Sequence, residues 1–147
     1  MATAAAVKPS LTIKRRFAAP PEKVYAAWTQ AGHLGRWFGP AGCERIEAEI
    51  DLRVGGRYHI AMIMPDDRHD VSGIYKDVVP NEKLVFTWAW KSTPERESLV
   101  TVTFKTDDGG GTIMTLLHEK FFDEAARDRH NSGWTGTMEK LERYLAA

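Results

Sequence analysis

The chain has 147 residues, and its 20 lysines and arginines balance 20 aspartates and glutamates, so its formal net charge is zero. That balance supplies no field to attract nucleic acid or an anionic membrane, and no apolar run approaches the length of a membrane span. Cys43 is the single cysteine, which excludes an internal disulfide and fits a reducing cytoplasm.

The length suits one domain able to bury about two-thirds of its unfolded surface. Residues 1–9 are alanine-rich but too short for the apolar core of a signal peptide, and read as a disordered tail before a single domain over 10–147. Leu11, Ile13 and Phe17 alternate with polar neighbours as a first strand. Lys14-Arg15-Arg16 lies within that strand, where alternation divides the charges between two faces and leaves no basic patch. Arg15 shares parity with Ile13 and Phe17 and is placed inward, facing a carboxylate or an anionic group on a ligand. Ala18-Ala19-Pro20-Pro21 stops the strand and presets a helix over Glu22 to Thr29, with Val24, Tyr25 and Trp28 on one side. Gly32 is expected to break it, and His33 to Phe38 forms a further turn ending at Gly39-Pro40.

From there the period changes to two. Ile46, Ala48, Ile50 and Leu52 alternate with charges, Asp51 and Arg53 read as a turn-fixing pair before Gly55-Gly56, and Tyr58, Ile60, Met62 and Met64 follow. Turns at Pro65-Asp66-Asp67 and Pro80-Asn81 bracket Val71, Gly73 and Tyr75. Leu84, Phe86, Trp88 and Trp90 run to Pro94, and Val100, Val102 and Phe104 lead to the hairpin loop Asp107 to Gly111. Met114, Leu116 and His118 form the last strand, with Glu119 on its opposite, solvated face. A long helix over Asp123 to Leu145 closes the chain, capped by Asp123, with His130, Trp134, Met138 (or Thr137), Leu141 and Leu145 on its apolar stripe. Gly133 and Gly136 inside that helix cost about 2 kcal/mol together relative to alanine. Close approach of the helix to a sheet or a ligand is the expected compensation. Consecutive strands joined by short turns, with a helix against one face, define an antiparallel α+β domain.

The inward positions are aromatic and sulphur-rich: Tyr58, Met62, Met64, Tyr75, Phe86, Trp88, Trp90, Phe104 and Met114. Such side chains either fill a core or line a pocket for a small hydrophobic molecule. Five histidines, His33, His59, His69, His118 and His130, show no ligand spacing, so no metal is expected, and no phosphate loop or nucleophile motif implies a cofactor. His118 and His130 can meet between the last strand and the helix. With Tyr75 they are the acid–base candidates; the alternative for His130 is a neutral ring bonded to a backbone carbonyl. Cys43 has no activating neighbour in sequence and reads as a small buried hydrophobe.

Several ordered motifs carry a resemblance: Ile13 to Val24 (IKRRFAAPPEKV), Trp37-Phe38-Gly39-Pro40, Asp51 to Tyr58 (DLRVGGRY), Leu84 to Trp88 (LVFTW), and His130 with Gly133-Trp134. Over about Leu11 to Leu145 the chain resembles bacterial proteins similar to the activator of ninety-kilodalton heat-shock protein ATPase, within the START/polyketide-cyclase (SRPBCC) superfamily. The resemblance implies a helix-grip fold, in which a curved seven-stranded antiparallel sheet wraps a long C-terminal helix behind two short helices that follow the first strand. It also implies a cavity between sheet and helix, drawn from Trp28, Trp37, Phe38, Tyr58, Met62, Met64, Tyr75, Phe86, Trp88, Trp90, Met114, Leu116, His118, His130, Trp134 and Met138. The leading expectation is a carrier or sensor of a small hydrophobic ligand such as a lipid or polyketide. The alternatives are a cyclase, dehydratase or hydrolase using His130, His118 and Tyr75, or an interaction module that activates a chaperone ATPase. Eukaryotic activators carry a separate N-terminal domain with no counterpart here, which leaves a chaperone partner in doubt. A homodimer through a strand edge or the helix is compatible with the pattern.

Overall fold

The structure is a computed structural model that describes residues 8–40 and 42–146. The expected tail falls outside the described residues over 1–7, and at Pro9 the backbone carbonyl already accepts the Phe121 N–H at 3.2 Å. The elements are β1 (Leu11–Phe17), α1 (Pro21–Thr29), α2 (Ala31–Trp37), β2 (Arg45–Ile50), β3 (Arg57–Ile63), β4 (Arg68–Val79), β5 (Lys83–Trp90), β6 (Ser98–Thr106), β7 (Thr112–Glu119) and α3 (Glu124–Ala146). They form one antiparallel seven-stranded sheet in the order β1-β7-β6-β5-β4-β3-β2. The six later strands are a meander, and β1 pairs with the last of them, Ile13 opposite Leu116 and Leu11 opposite His118. The curved sheet and long C-terminal helix are the helix-grip architecture that the motifs imply.

Local chemistry explains the connections. Pro21 sits in the first turn of α1, where a missing N–H costs nothing. The break between α1 and α2 falls at Gln30 rather than Gly32, which lies inside α2. Gln30 is extended (φ −100°, ψ 122°); its N–H donates to Ala26 O while its own carbonyl accepts from His33 and Leu34. One residue thus closes one helix and opens the next. Trp37 donates its indole N–H to Ala27 O at 3.0 Å, tying the two short helices together.

The β4–β5 ladder is interrupted between the pairs Ser72–Ala89 and Tyr75–Phe86, and its register shifts by one residue before Asp77–Val85. Side chains take over the lost bonds. The Thr87 hydroxyl accepts the Ile74 N–H at 2.8 Å, and the Thr87 carbonyl accepts the Tyr58 hydroxyl. A Cβ on Gly73 would stand 1.9 Å from Thr87 O, so only glycine fits at this crossing. Irregularities of this kind increase local twist and bend a sheet.

Helix α3 lies across the inner face. Asp123 caps it, its Oδ1 accepting the Ala126 N–H at 2.8 Å. Trp134, Met138, Leu141 and Leu145 are buried as the stripe requires, joined by Ala126 and Thr137, whereas His130 is half-buried. Full burial of a side chain such as Leu141 contributes about 1.5–3 kcal/mol, and this offsets the weak local propensity. The interior glycines do not serve close packing: a Cβ on Gly133 or Gly136 would meet nothing within 4 Å.

Candidate functional site

A cavity of about 430 Å³ opens between α3 and the β3–β5 part of the sheet. Its floor is Met62, Trp88 and Trp90, one wall is His130, Gly133, Trp134 and Thr137 of α3, and the other is Phe38-Gly39-Pro40. Exposed Ser92, Arg96 and Arg129, with His69 and Thr93, complete the mouth. The walls are aromatic edges and faces: Trp88 lies 5.4 Å from Trp90 and 5.2 Å from Trp134, ring centre to ring centre, and Phe38 lies 5.7 Å from Trp134.

The Phe38–Pro40 wall is pinned to the helix. Lys140 Nζ donates to Phe38 O and Gly39 O, both at 3.1 Å, and the Thr137 hydroxyl reaches Gly39 O at the same distance. Partial burial lowers the Lys140 pKa. Gly39 is required at this bend, because its φ is +95° and a Cβ would press on Ile46 Cδ1 at 3.0 Å.

The two histidines meet beside the cavity with ring centres 5.2 Å apart. Each is locked by a tryptophan. Trp134 donates its indole N–H to His118 Nδ1 at 3.0 Å, so His118 carries its proton on Nε2 and donates it to Ser98 Oγ at 2.7 Å; Ser98 in turn donates to Trp88 O. Trp90 donates to His130 Nε2 at 2.9 Å, so His130 is protonated on Nδ1 and donates to Ala126 O at 2.7 Å. Indole N–H groups only donate, which fixes opposite tautomers. Burial lowers the His118 pKa to about 2, with a smaller contribution from His130, and burial likewise lowers that of His130. Both rings are neutral, and neither has a free nitrogen lone pair with which to accept a substrate proton.

The expected site residues divide three ways. Phe38, Met62, Trp88, Trp90, His130 and Trp134 line the cavity. Trp28, Tyr58, Tyr75 and Phe86, with Phe38 and Trp88 again, surround a separate void of about 20 Å³ deeper in the core. Trp37, Met64, Met114, Leu116, His118 and Met138 line neither. Trp37, Met114, Leu116 and Met138 are filled core, and Met64 falls just past the end of β3. Of the acid–base candidates only His130 borders the cavity; burial raises the Tyr75 phenol pKa away from the cavity. Arg15 faces inward but pairs with Glu142 of α3 at 3.0 Å, and Arg53 pairs with Asp51 at 2.9 Å. Cys43 is half-buried rather than enclosed, and Glu119 is half-buried rather than fully solvated.

Nine lining residues escaped the sequence reading: Gly39, Pro40, His69, Ser92, Thr93, Arg96, Arg129, Gly133 and Thr137. Gly133 and Thr137 were within reach, since they stand three and seven residues after His130 on the same helical stripe. His69 shares β4 parity with buried Val71. Loop residues Ser92, Thr93 and Arg96 carry no periodic signal.

The curved sheet and the long helix it grips define a START-like protein of the SRPBCC type. The chain belongs to the family described as Activator of Hsp90 ATPase homolog 1-like protein, whose model matches residues 18–146. It is similar to the human Activator of 90 kDa heat shock protein ATPase homolog 1, with 28% identity over 124 residues, 84% of this chain and 33% of that protein. It thus spans about a third of the curated relatives it matches. Among solved structures, the AHSA1 protein of Silicibacter pomeroyi shares 28% identity with a TM-score of 0.80, covering 94% of this chain and 98% of that one. An HSP90 activator from Plasmodium falciparum shares 25% identity with a TM-score of 0.75, covering 93% and 96%.

Proposed function

We propose that this protein holds a small hydrophobic molecule between the sheet and α3, in a carrier or sensor role. The observation that carries the reading is the cavity of about 430 Å³ walled by Phe38, Trp88, Trp90 and Trp134. Its volume falls within the range of about 300–1,000 Å³ typical of small-molecule pockets. The state of the histidines supports binding over turnover, because an acid–base reaction would first have to break an indole bond to His118 or His130. The test is a thermal-shift and tryptophan-fluorescence screen against hydrophobic metabolites, lipids and polyketides included. A saturable ligand raises the melting temperature by binding only the folded state. Gly133→Leu, whose side chain would project into the cavity, should abolish that shift while the protein still melts cooperatively. Silence across a broad library, or hits that survive Gly133→Leu, would refute the reading.

A second reading follows from the relatives: a module acting on a chaperone ATPase. The observation favouring it is 25% identity across 96% of the P. falciparum HSP90 activator. A flat titration of the chaperone's ATPase with this protein would dismiss it.

A further inference from the structure

We infer that the occupant of the cavity is an amphipathic anion, a planar aromatic acid whose ring system lies among the tryptophans and whose acid group meets Arg96 and Arg129 at the mouth. The inference rests on the binding reading above and specifies its ligand. The chain as a whole is electrically balanced, yet the cavity lining contains two arginines and no aspartate or glutamate. Neither arginine has a carboxylate within salt-bridge distance among the described residues. Acidic neighbours are present but do not bridge the two arginines: Asp128 pairs with Arg127 at 3.0 Å, and Glu95 and Glu97 are exposed without bridging Arg96. Arg96 is instead held in place by its stack on the Phe122 ring, 3.8 Å from the centroid. A guanidinium fixed by stacking keeps its N–H fork free for a planar acid group.

The polar groups of the lining point the same way. Both ring nitrogens of His130 are engaged, Nε2 accepting from the Trp90 indole and Nδ1–H donating to Ala126 O. Arg96 and Arg129 are thus the unbridged charged donors of the lining, which suits a ligand carrying anionic oxygens rather than an amine. The lining includes no leucine, isoleucine or valine. Aromatic rings with centroids 5–6 Å apart in tilted and edge-on pairs offer faces for a flat ring, whereas an acyl chain gains most from branched aliphatic walls.

Isothermal titration calorimetry at low salt with 2-naphthoate, its neutral isostere 2-naphthamide, and octanoate tests this. Naphthoate should bind about tenfold more tightly than naphthamide, the scale of a charge-assisted contact. The double variant Arg96→Gln/Arg129→Gln should erase that difference, chiefly by weakening naphthoate. Arg127→Gln, two residues before Arg129 on the same helix but outside the lining, should retain it. Both arginines of the double variant are exposed and unbridged, so its thermal melt should stay cooperative. Equal binding of naphthoate and naphthamide, or undiminished naphthoate affinity in the double variant, overturns the anionic assignment while leaving the cavity reading intact. Tighter binding of octanoate than of naphthoate overturns the planar-aromatic assignment. Absence of binding by all three probes, with no hit in the broader screen, overturns both readings together.

Discussion

Trp134 and His118 are joined by a buried hydrogen bond of 3.0 Å in which the indole donates and the imidazole Nδ1 accepts. This contact couples α3 to β7 and decides the protonation pattern beside the cavity. Through the 5.2 Å approach of the two imidazoles it also brings the Trp90–His130 bond into the same cluster.

The first prediction concerns tautomers. Long-range proton–nitrogen NMR spectra should show His118 protonated on Nε2 and His130 on Nδ1, with neither ring titrating near the ordinary histidine value of about 6.5. Two identical tautomers, or a His130 midpoint at that value, would refute the hydrogen-bond assignment.

Removing the donor should be costly. Trp134→Phe keeps most of the ring volume but leaves a buried imidazole lone pair without a partner, a penalty of about 1–3 kcal/mol. Chemical denaturation should register that loss with little change in its slope. An unchanged midpoint would mean that the bond contributes nothing to stability.

Stability should fall in mild acid. The His118 pKa is about 2 in the folded protein, against about 6.5 in the unfolded chain. Below pH of about 6.5 the unfolded state therefore binds a proton that the native state does not. Stability is fully present above that value and is lost as pH falls, at about 1.4 kcal/mol per pH unit, down towards the folded pKa. His130, shifted in the same direction, adds to the effect. Asp70, held at about 2 chiefly by its hydrogen bond from Arg68, contributes only in stronger acid, below the ordinary carboxylate range. His118→Asn should flatten the stability profile between pH 6.5 and 4.5, measured by denaturation at each pH.

Two glycines give opposite expectations. Gly136→Ala adds a methyl group that meets nothing within 4 Å inside a helix, and should stabilise by about 0.5–1 kcal/mol. Gly73→Ala would place its methyl group 1.9 Å from the Thr87 carbonyl oxygen and should destabilise by about 3 kcal/mol. Thermal melts of the pair check both signs, and a stable Gly73→Ala would show that the β4–β5 crossing yields more readily than its geometry implies.

Much of this architecture was legible in the chain. Alternation from Ile46 to His118 and the stripe from His130 to Leu145 prescribed the strands, the meander and the face of the last helix, because period and turn chemistry are local consequences of backbone geometry. The same logic allowed His118 and His130 to meet, and the packing of α3 brings their ring centres within 5.2 Å. Periodicity states which side of an element faces inward, but not how far away the opposite wall stands. Met114 and Met138 therefore became filled core while Met62 and Trp90 came to border a cavity, although all four carry the same inward signal. Arg96 and Arg129 reach the mouth from a loop and a helix 33 positions apart, a juxtaposition that no local pattern records. The histidine tautomers depend on which indole N–H arrives at which nitrogen, and only the packing of α3 against β5 and β7 determines that. Sequence alone determined the elements and their facing; tertiary structure decided where space was left between them and which polar atoms were left free to use it.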